Sequence, residues 1–219
     1  MVFRCILAGV IGYLLGNISS GFLVSKAYGL RDIRKHGSGN SGTTNVLRTL
    51  GWLPSVLTLV GDCLKGYAAC LIGRALGGDL GMLIGGACAI LGHDFPALMG
   101  FRGGKGVATS LGLIIAIDPR MAVALLVVQI AAVALTRYMS IASLITTVAF
   151  PILTVIMEHG RAHYLMFILF ACGAAALSLF GHRGNIRRLI QGDENRLDFD
   201  RISRISEKVM QRMHKRKKP

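Results

Sequence analysis

The chain has 219 residues, 53% of them hydrophobic and only 16% charged, with 28 glycines and a mean hydropathy of +0.55. That balance excludes an average soluble domain and describes an all-α, polytopic membrane protein. Lys and Arg number 25 against 11 Asp and Glu, a net charge of +14, but much of the excess lies between Arg183 and Lys218. With most aromatics in apolar runs and no nucleic-acid motif, the charge points to anionic membrane lipid and small phosphorylated substrates, not to nucleic acid.

Crossing a hydrocarbon core takes about 20 apolar residues. Runs near that length predict seven spans: Val2 to Val24, Leu53 to Gly73, Leu80 to Leu98, Val107 to Ile117, Met121 to Leu135, Ile141 to Met157, and Tyr164 to Phe180. The start, Met-Val-Phe-Arg-Cys and then an apolar run, imitates a signal peptide but leads to no small-residue cleavage site, so the first span reads as uncleaved. The fourth and fifth are short and meet at Asp118-Pro119-Arg120, so they are thin spans or a re-entrant hairpin. The five cysteines (Cys5, Cys63, Cys70, Cys88, Cys172) lie in apolar segments without a Cys-x-x-Cys pair, and buried thiols are expected, with neither disulfide nor metal. Positive charge in the loop from Leu30 to Trp52, in the gap holding Arg102 and Lys105, and in the tail places those segments in the cytoplasm. The amino terminus then lies outside and the carboxyl terminus inside.

The first span carries a small and polar stripe (Gly12, Gly16, Asn17, Ser19, Ser20, Gly21), which suits tight helix packing. The loop after it, Gly37-Ser38-Gly39-Asn40-Ser41-Gly42-Thr43-Thr44-Asn45-Val46-Leu47-Arg48, formally matches Gly-x-Gly-x-x-Gly. No strand precedes it and no βαβ unit surrounds it, so the dinucleotide reading fails. Its hydroxyls, amides and Arg48 make either an anion site or an ordinary helix start. In the second span, Asp62 and Lys65 sit three residues apart and read as a self-neutralising structural pair, with direct substrate contact as the alternative.

The most informative stretch is Gly92-His-Asp-Phe-Pro-Ala-Leu-Met-Gly-Phe101-Arg-Gly-Gly-Lys105-Gly-Val-Ala-Thr109. Gly103, Gly104 and Gly106 lack a Cβ and are expected to turn N–H groups toward an anion, beside the charges of Arg102 and Lys105 and the start of a helix. A cytoplasmic turn that only satisfies charge asymmetry is the alternative. It is not a nucleotide P-loop, because Met99 stands where glycine is needed and Gly106 where Ser or Thr should follow the lysine. Arg137, Tyr138 and Ser140 read as a loop. After the last span come Gly181-His182-Arg183-Gly184-Asn185-Ile186-Arg187-Arg188 and Gly192-Asp193-Glu194. The tail from Arg204 to Lys218 predicts a basic amphipathic helix lying on anionic lipid.

Three of these stretches, in this order, resemble one family: Gly37-Ser-Gly-Asn-x-Gly-Thr-Thr-Asn-Val-Leu-Arg48, Gly92-His-Asp-Phe-Pro…Phe101-Arg-Gly-Gly-Lys-Gly-Val-Ala-Thr109, and His182-x-x-Asn-Ile-x-Arg-Leu…Gly192-x-Glu194. It is the bacterial acyl-phosphate:glycerol-3-phosphate acyltransferases, and the resemblance extends to about Arg196. Ser41 and Thr43 depart from the more usual Ile and Ala. The resemblance implies residues 1–197 as one integral-membrane acyltransferase domain and 198–219 as a basic cytoplasmic tail. It also implies an active site on the cytoplasmic face of a bacterial inner membrane; too few carboxylates or further histidines accompany His93 and His182 to hold a metal, and no cofactor is expected. The reaction would move an acyl group from acyl phosphate to the sn-1 hydroxyl of glycerol 3-phosphate, giving lysophosphatidic acid and phosphate, the first step of phospholipid synthesis.

By the same resemblance, Ser38, Gly39, Asn40, Asn45, Arg102, Gly103, Gly104 and Gly106 bind substrate with Arg48 and Lys105 on phosphate, and His182, Asn185 and Glu194 orient the glycerol. His182, Lys105 and Arg48 would be the catalytic set. The glycerol hydroxyl would attack directly, losing its proton to a substrate phosphate oxygen or to His182. The His-x-x-x-x-Asp pattern of acyl-thioester glycerolipid acyltransferases is absent, since Leu98 and Arg187 stand five residues after His93 and His182. A transporter of phosphorylated metabolites is the competing class, though no inverted repeat between the halves supports it.

Overall fold

A computed structural model describes residues 1–217, and every regular element in it is helical; residues 218–219 at the end of the basic tail lie outside the described part. The helices are α1 (Val2–Asn17), α2 (Ser20–Ala27), α3 (Thr43–Leu50), α4 (Trp52–Asp94), α5 (Val107–Ile117), α6 (Pro119–Thr136), α7 (Met139–Met157), α8 (Tyr164–Gly181), α9 (Arg183–Gln191) and α10 (Phe199–Lys217). Five segments are long and apolar enough to cross a bilayer: Val2–Ala27, Trp52–Met99, Pro119–Thr136, Met139–Met157 and Tyr164–Gly181.

Two of them are interrupted, and the interruptions matter. The first breaks at Ile18 and resumes when the Ser19 hydroxyl accepts from Phe22 N–H and caps α2. Its break leaves the Ile18 carbonyl free for a partner outside the helix. The second, α4, folds back at Gly77 and Gly78, the latter at φ +61, a conformation that glycine adopts without steric cost. What the sequence presents as two spans is one hairpin, whose legs touch backbone to backbone where Gly73 meets Gly81.

The hairpin is the centre of the bundle. α1 lies along its second leg so closely that a Cβ on Gly12 would overlap the Gly85 carbonyl, and one on Gly16 the backbone of Ala89 and Gly92. In lipid there is little hydrophobic gain in pairing helices, so such approach supplies the attraction through dispersion contacts. On the other side the hairpin carries α5, with Gly112 against the Cys63 carbonyl and Gly66 against that of Thr109. A buried cluster around Met82, Leu113, Met121, Phe150 and Phe167 then joins the hairpin to α5, α6, α7 and α8.

α5 has 11 residues and at 1.5 Å per residue rises about 16 Å, roughly half of a hydrocarbon core. The Asp118 carboxylate ends it by capping α6, accepting from Arg120 N–H at 2.8 Å, with Pro119 in the first turn where its missing N–H costs nothing. The thiols are all free among the described residues, but Cys172 is exposed and Cys63 and Cys88 half-buried. A uniformly buried set is thus corrected to Cys5 and Cys70.

Beyond the bundle, α10 packs on α3. Val209 meets the cluster of Ile33, Val46 and Leu50, and Ile202 with Leu197 meets Leu47. The Ser206 hydroxyl accepts from Trp52 N–H at 3.0 Å, satisfying one of the open donors at the start of α4. The Trp52 and Phe199 rings stack at 6.1 Å. The apolar face that an interfacial helix would bury in lipid is therefore covered by protein, while Arg201, Arg204, Lys208 and Arg212 remain as an exposed stripe. Replacing Gly16 with Val should force α1 from the hairpin and lower the detergent-state Tm, overpacking of this kind costing about 1–3 kcal/mol. Val10→Ala, at a position 51% exposed, should leave it unchanged; equal Tm values for both variants would contradict the packing described.

Candidate active site

One end of the bundle gathers the polar motifs around a cavity of about 550 Å³. Each of its functional side chains is delivered by a local turn that the sequence encodes. Arg48 sits in the last turn of α3. Lys105 lies in the loop before α5, whose helix begins after Gly106 at φ +70. α8 and α9 abut at His182, placing Asn185 one turn into α9. Gly192, at φ +78, then ends α9 in the left-handed conformation that favours glycine. The chain doubles back there, and Glu194 returns to the helix it has just left.

These residues form a connected network. Lys105 Nζ donates to Asn185 Oδ1; Asn185 Nδ2 donates to Glu194 Oε1 at 2.8 Å, and Arg188 Nε to Glu194 Oε2 at 2.8 Å. Arg48 reaches the same strand of chain, donating from Nη2 to the Asn195 carbonyl at 2.9 Å, while its Nε is buried without a partner. Three cations thus share one carboxylate, and the surplus positive charge faces the cavity. An anion is the ligand this arrangement suits.

The charges are tuned by their surroundings. Burial draws the Lys105 ammonium down to about 8, with Glu194 opposing the shift and Arg188 and Arg48 adding to it. Burial likewise lowers Arg48. For Glu194 burial pushes upward, but the hydrogen bonds from Asn185 and Arg188 outweigh it and hold the carboxyl below its ordinary value. His182 is pushed down to about 4, by burial first and then by the Lys105 charge. Its Nδ1 lies 2.8 Å from the Ser178 carbonyl, which only accepts. The ring proton therefore sits on Nδ1, and Nε2 keeps its lone pair.

The cavity changes character along its length. Ser38, Arg48, Lys105, His182, Asn185 and Glu194 line its polar part, and Leu59, Leu111, Ile114, Leu125, Phe150 and Ala175 an apolar part. Between them, Ser140, Ser143 and Thr147 follow one face of α7 and line the same space. The Thr147 hydroxyl is paired with that of Ser178 at 2.9 Å. A molecule with an anionic head and a hydrocarbon tail matches this gradient.

Several site expectations need correction. Gly103 and Gly104 do not turn their N–H groups to an anion: they donate to the Asp94 carbonyl at 3.2 Å and the His93 carbonyl at 2.9 Å, extending the end of α4. Gly104 instead allows the loop to pass against His93 Nε2, and Gly106 supplies the positive φ that starts α5. Arg102 is exposed and stands outside the cavity wall. Asn40 and Asn45 do line the cavity, and the Asn45 amide also accepts from Ser38 N–H at 2.8 Å and donates to the carbonyls of His36 and Asn40. Asn40 in turn accepts from Gly42 N–H and donates to the Gly103 carbonyl at 3.2 Å. These two amides knit the first motif and tie it to the second. Gly39, at φ +76, is part of the turn and outside the cavity lining.

Sequence reasoning missed Arg188 and the α7 hydroxyls, and Ser140 belongs to a helix, not a loop. Their signal was the spacing of 140, 143 and 147, one helical face within an apolar run. The predicted Asp62–Lys65 pair is present, at 2.8 Å.

Known proteins resemble this chain over most of its length. The profile of the family described as Glycerol-3-phosphate acyltransferase matches residues 6–192. The glycerol-3-phosphate acyltransferase of Clostridioides difficile (strain 630) is 41% identical over 202 residues, covering 90% of this chain and 97% of its own length. That of Agrobacterium fabrum (strain C58 / ATCC 33970) is 41% identical over 191 residues, covering 87% and 91%. Among solved structures, PlsY (YgiH), an integral membrane glycerol 3-phosphate acyltransferase, in its glycerol 3-phosphate form superposes with a TM-score of 0.81 at 35% identity, over 89% of this chain and 96% of that one. Its lysophosphatidic acid form gives 0.81 at 34%, over 90% and 97%. With a family match over most of its length and relatives of this identity at near-complete coverage, the chain belongs to the glycerol-3-phosphate acyltransferase family.

Proposed function

We propose that the protein transfers an acyl group from an acyl phosphate to the sn-1 hydroxyl of glycerol 3-phosphate, releasing lysophosphatidic acid and phosphate, the first step of phospholipid synthesis. The observation that carries this reading is the single cavity in which Arg48, Lys105 and Arg188 stand at one end and an apolar wall at the other. Both substrates bear a phosphoryl group, and the donor also bears a long hydrocarbon chain. The glycerol 3-phosphate and lysophosphatidic acid forms of the solved relative support substrate and product of this kind.

An acyl phosphate is already activated, so the protein's work is to orient the hydroxyl and neutralise the leaving phosphate. The His182 Nε2 lone pair accepts from the attacking hydroxyl and fixes its direction. With its basicity drawn down to about 4, this ring is a weak proton sink at neutral pH. The hydroxyl proton therefore moves by way of His182 Nε2, which does not retain it, to a phosphate oxygen of the donor, an atom that gains basicity as its bond to the carbonyl carbon breaks. The glycerol oxygen forms a bond to the carbonyl carbon, the bond from that carbon to the bridging oxygen breaks, and the phosphate leaves with the proton. Lys105 and Arg48 meet the charge that develops on it, while Asn185 and Glu194 keep Lys105 aimed.

Seven crossings, with the amino terminus outside and the site in the cytoplasm of a bacterial inner membrane, suit the charge distribution. On the face away from the site, Arg74, Arg120 and Arg161 are paired with Asp79, Asp118 and Glu158. The site face carries unpaired basic side chains at Arg31, Arg102 and Arg183 among the described residues, as positive-inside placement requires. The stripe on α10 adds anionic lipid as a partner through its headgroups.

Purified protein given palmitoyl phosphate and radiolabelled glycerol 3-phosphate should form labelled lysophosphatidic acid, whereas palmitoyl-coenzyme A should give none. Lys105→Ala should lower kcat by about 10²–10³-fold, the usual loss of one charge-stabilising donor. Efficient use of the thioester with inert acyl phosphate would refute the donor assignment. Because the Lys105 ammonium titrates near 8 and the protonated form binds phosphate, kcat/KM should fall about tenfold per unit above pH 8. Lys105→Arg, permanently charged, should keep its lower plateau flat to higher pH; a wild-type profile flat to pH 10 would remove Lys105 from phosphate recognition.

A further inference from the structure

Beneath the cavity lies a group of buried charges that the reaction as described leaves unused. Asp62 and Lys65 come from the first leg of the α4 hairpin and His93 from the second, and all three are at most 7% exposed. Lys65 Nζ donates to the Ile18 carbonyl at 2.7 Å, at the break between α1 and α2. It lies 2.8 Å from Asp62 Oδ1 and 2.8 Å from His93 Nδ1. Burying three such groups costs free energy that hydrophobic residues of the same size would avoid. Their arrangement therefore calls for a role beyond holding helices together.

The chemistry of the contact fixes the histidine. An ammonium paired with a carboxylate has only hydrogens to offer, so His93 Nδ1 accepts and the ring proton resides on Nε2. That atom lies against Gly104, where a Cβ would collide with it, and the ring forms part of the cavity wall. His182 presents the opposite tautomer across the same space, with Nε2 bare. The two histidines thus offer one donor and one acceptor, each set by a partner behind the ring.

We propose that His93 is a further substrate-binding residue, whose Nε2–H donates to a phosphoryl oxygen beside Lys105, and that Asp62 and Lys65 are positioning residues that hold it in that tautomer. The absence of a side chain at Gly104 then has a reason: a Cβ there would occupy the space directly against Nε2 and shut a ligand out of it. This also replaces the glycine N–H groups, which are occupied by α4, with a neutral donor at the same turn. The inference rests on the phosphate-binding reading of the cavity.

The test uses full-length protein in detergent with ring-15N-labelled histidine and inorganic phosphate as the probe. His93, assigned by its disappearance in His93→Gln or, should that variant not fold, by its perturbation in Lys65→Met, should show a proton on Nε2. Its Nε2 resonance should move on phosphate addition with the constant measured for phosphate inhibition of turnover. His93→Phe, which keeps the ring volume without the donor, should raise that inhibition constant about tenfold or more, the scale of one hydrogen bond to a charged group. His93→Gln, with an amide N–H near the Nε2 position, should recover most of it. A proton on Nδ1, or an unmoved His93 signal while phosphate inhibits turnover, overturns this inference alone. Phosphate that neither inhibits nor moves any histidine overturns the phosphate-binding reading as well.

Discussion

A lysine ammonium held in a half-closed, largely apolar cavity is the constraint on which the site depends. Burial disfavours the charged form of Lys105 and draws its pKa down to about 8. Asn185 and Glu194 oppose it, and Arg188 keeps Glu194 in its charged form. The consequence reaches into the fold. Glu194 arrives only because Gly192 lets α9 stop and the chain reverse, and Asn185 faces Lys105 only because α8 runs straight into α9 at His182. A buried ammonium with a pKa of about 8 is the product of four backbone segments meeting at one point.

The bundle behind it is built for rigidity. Glycines at Gly12, Gly16, Gly73, Gly81 and Gly112 bring α1, both legs of α4, and α5 into backbone contact. The two amides Asn40 and Asn45 extend the same rigidity into the loops, joining the first motif to the second through the Gly103 carbonyl. α10, which lies beyond the family match at residue 192, fastens the α3–α4 corner through Ser206 and Ile202. Arg48 projects from that corner, so the extension braces a residue of the site.

Much of the fold was legible in the sequence because apolar run length and bounding charge are strong signals. The gap between the spans ending at Gly73 and beginning at Leu80 located the hairpin's bend without showing that the two legs form one element, and Asp118-Pro119-Arg120 located the α5–α6 turn. The break at Ile18 was hidden, since nothing apolar is lost there and the small-polar stripe suits packing as well as a kink. In the site, Arg48, Lys105, His182, Asn185 and Glu194 were found through the resemblance and do converge. Gly103 and Gly104 were misread because glycine serves equally for a turned N–H and for close approach to a ring, and only tertiary contact separates the two. Arg102 was misread because its charge looks the same in sequence whether it faces a cavity or water. The α7 hydroxyls lie within an apolar run and declare themselves only once Phe150 and Ala175 are seen beside them.

The central claim is that one cavity holds the phosphoryl group at the Arg48–Lys105 end and the acyl chain along the apolar wall of α7. The most direct measurement is the structure of the protein with glycerol 3-phosphate and a non-hydrolysable acyl phosphonate bound. The account predicts phosphonate oxygens within hydrogen-bond distance of Lys105, with the chain running past Ser143 and Thr147 toward Phe150. A phosphonate bound outside that cation cluster, or a chain lying on the outer surface of the bundle, would contradict it.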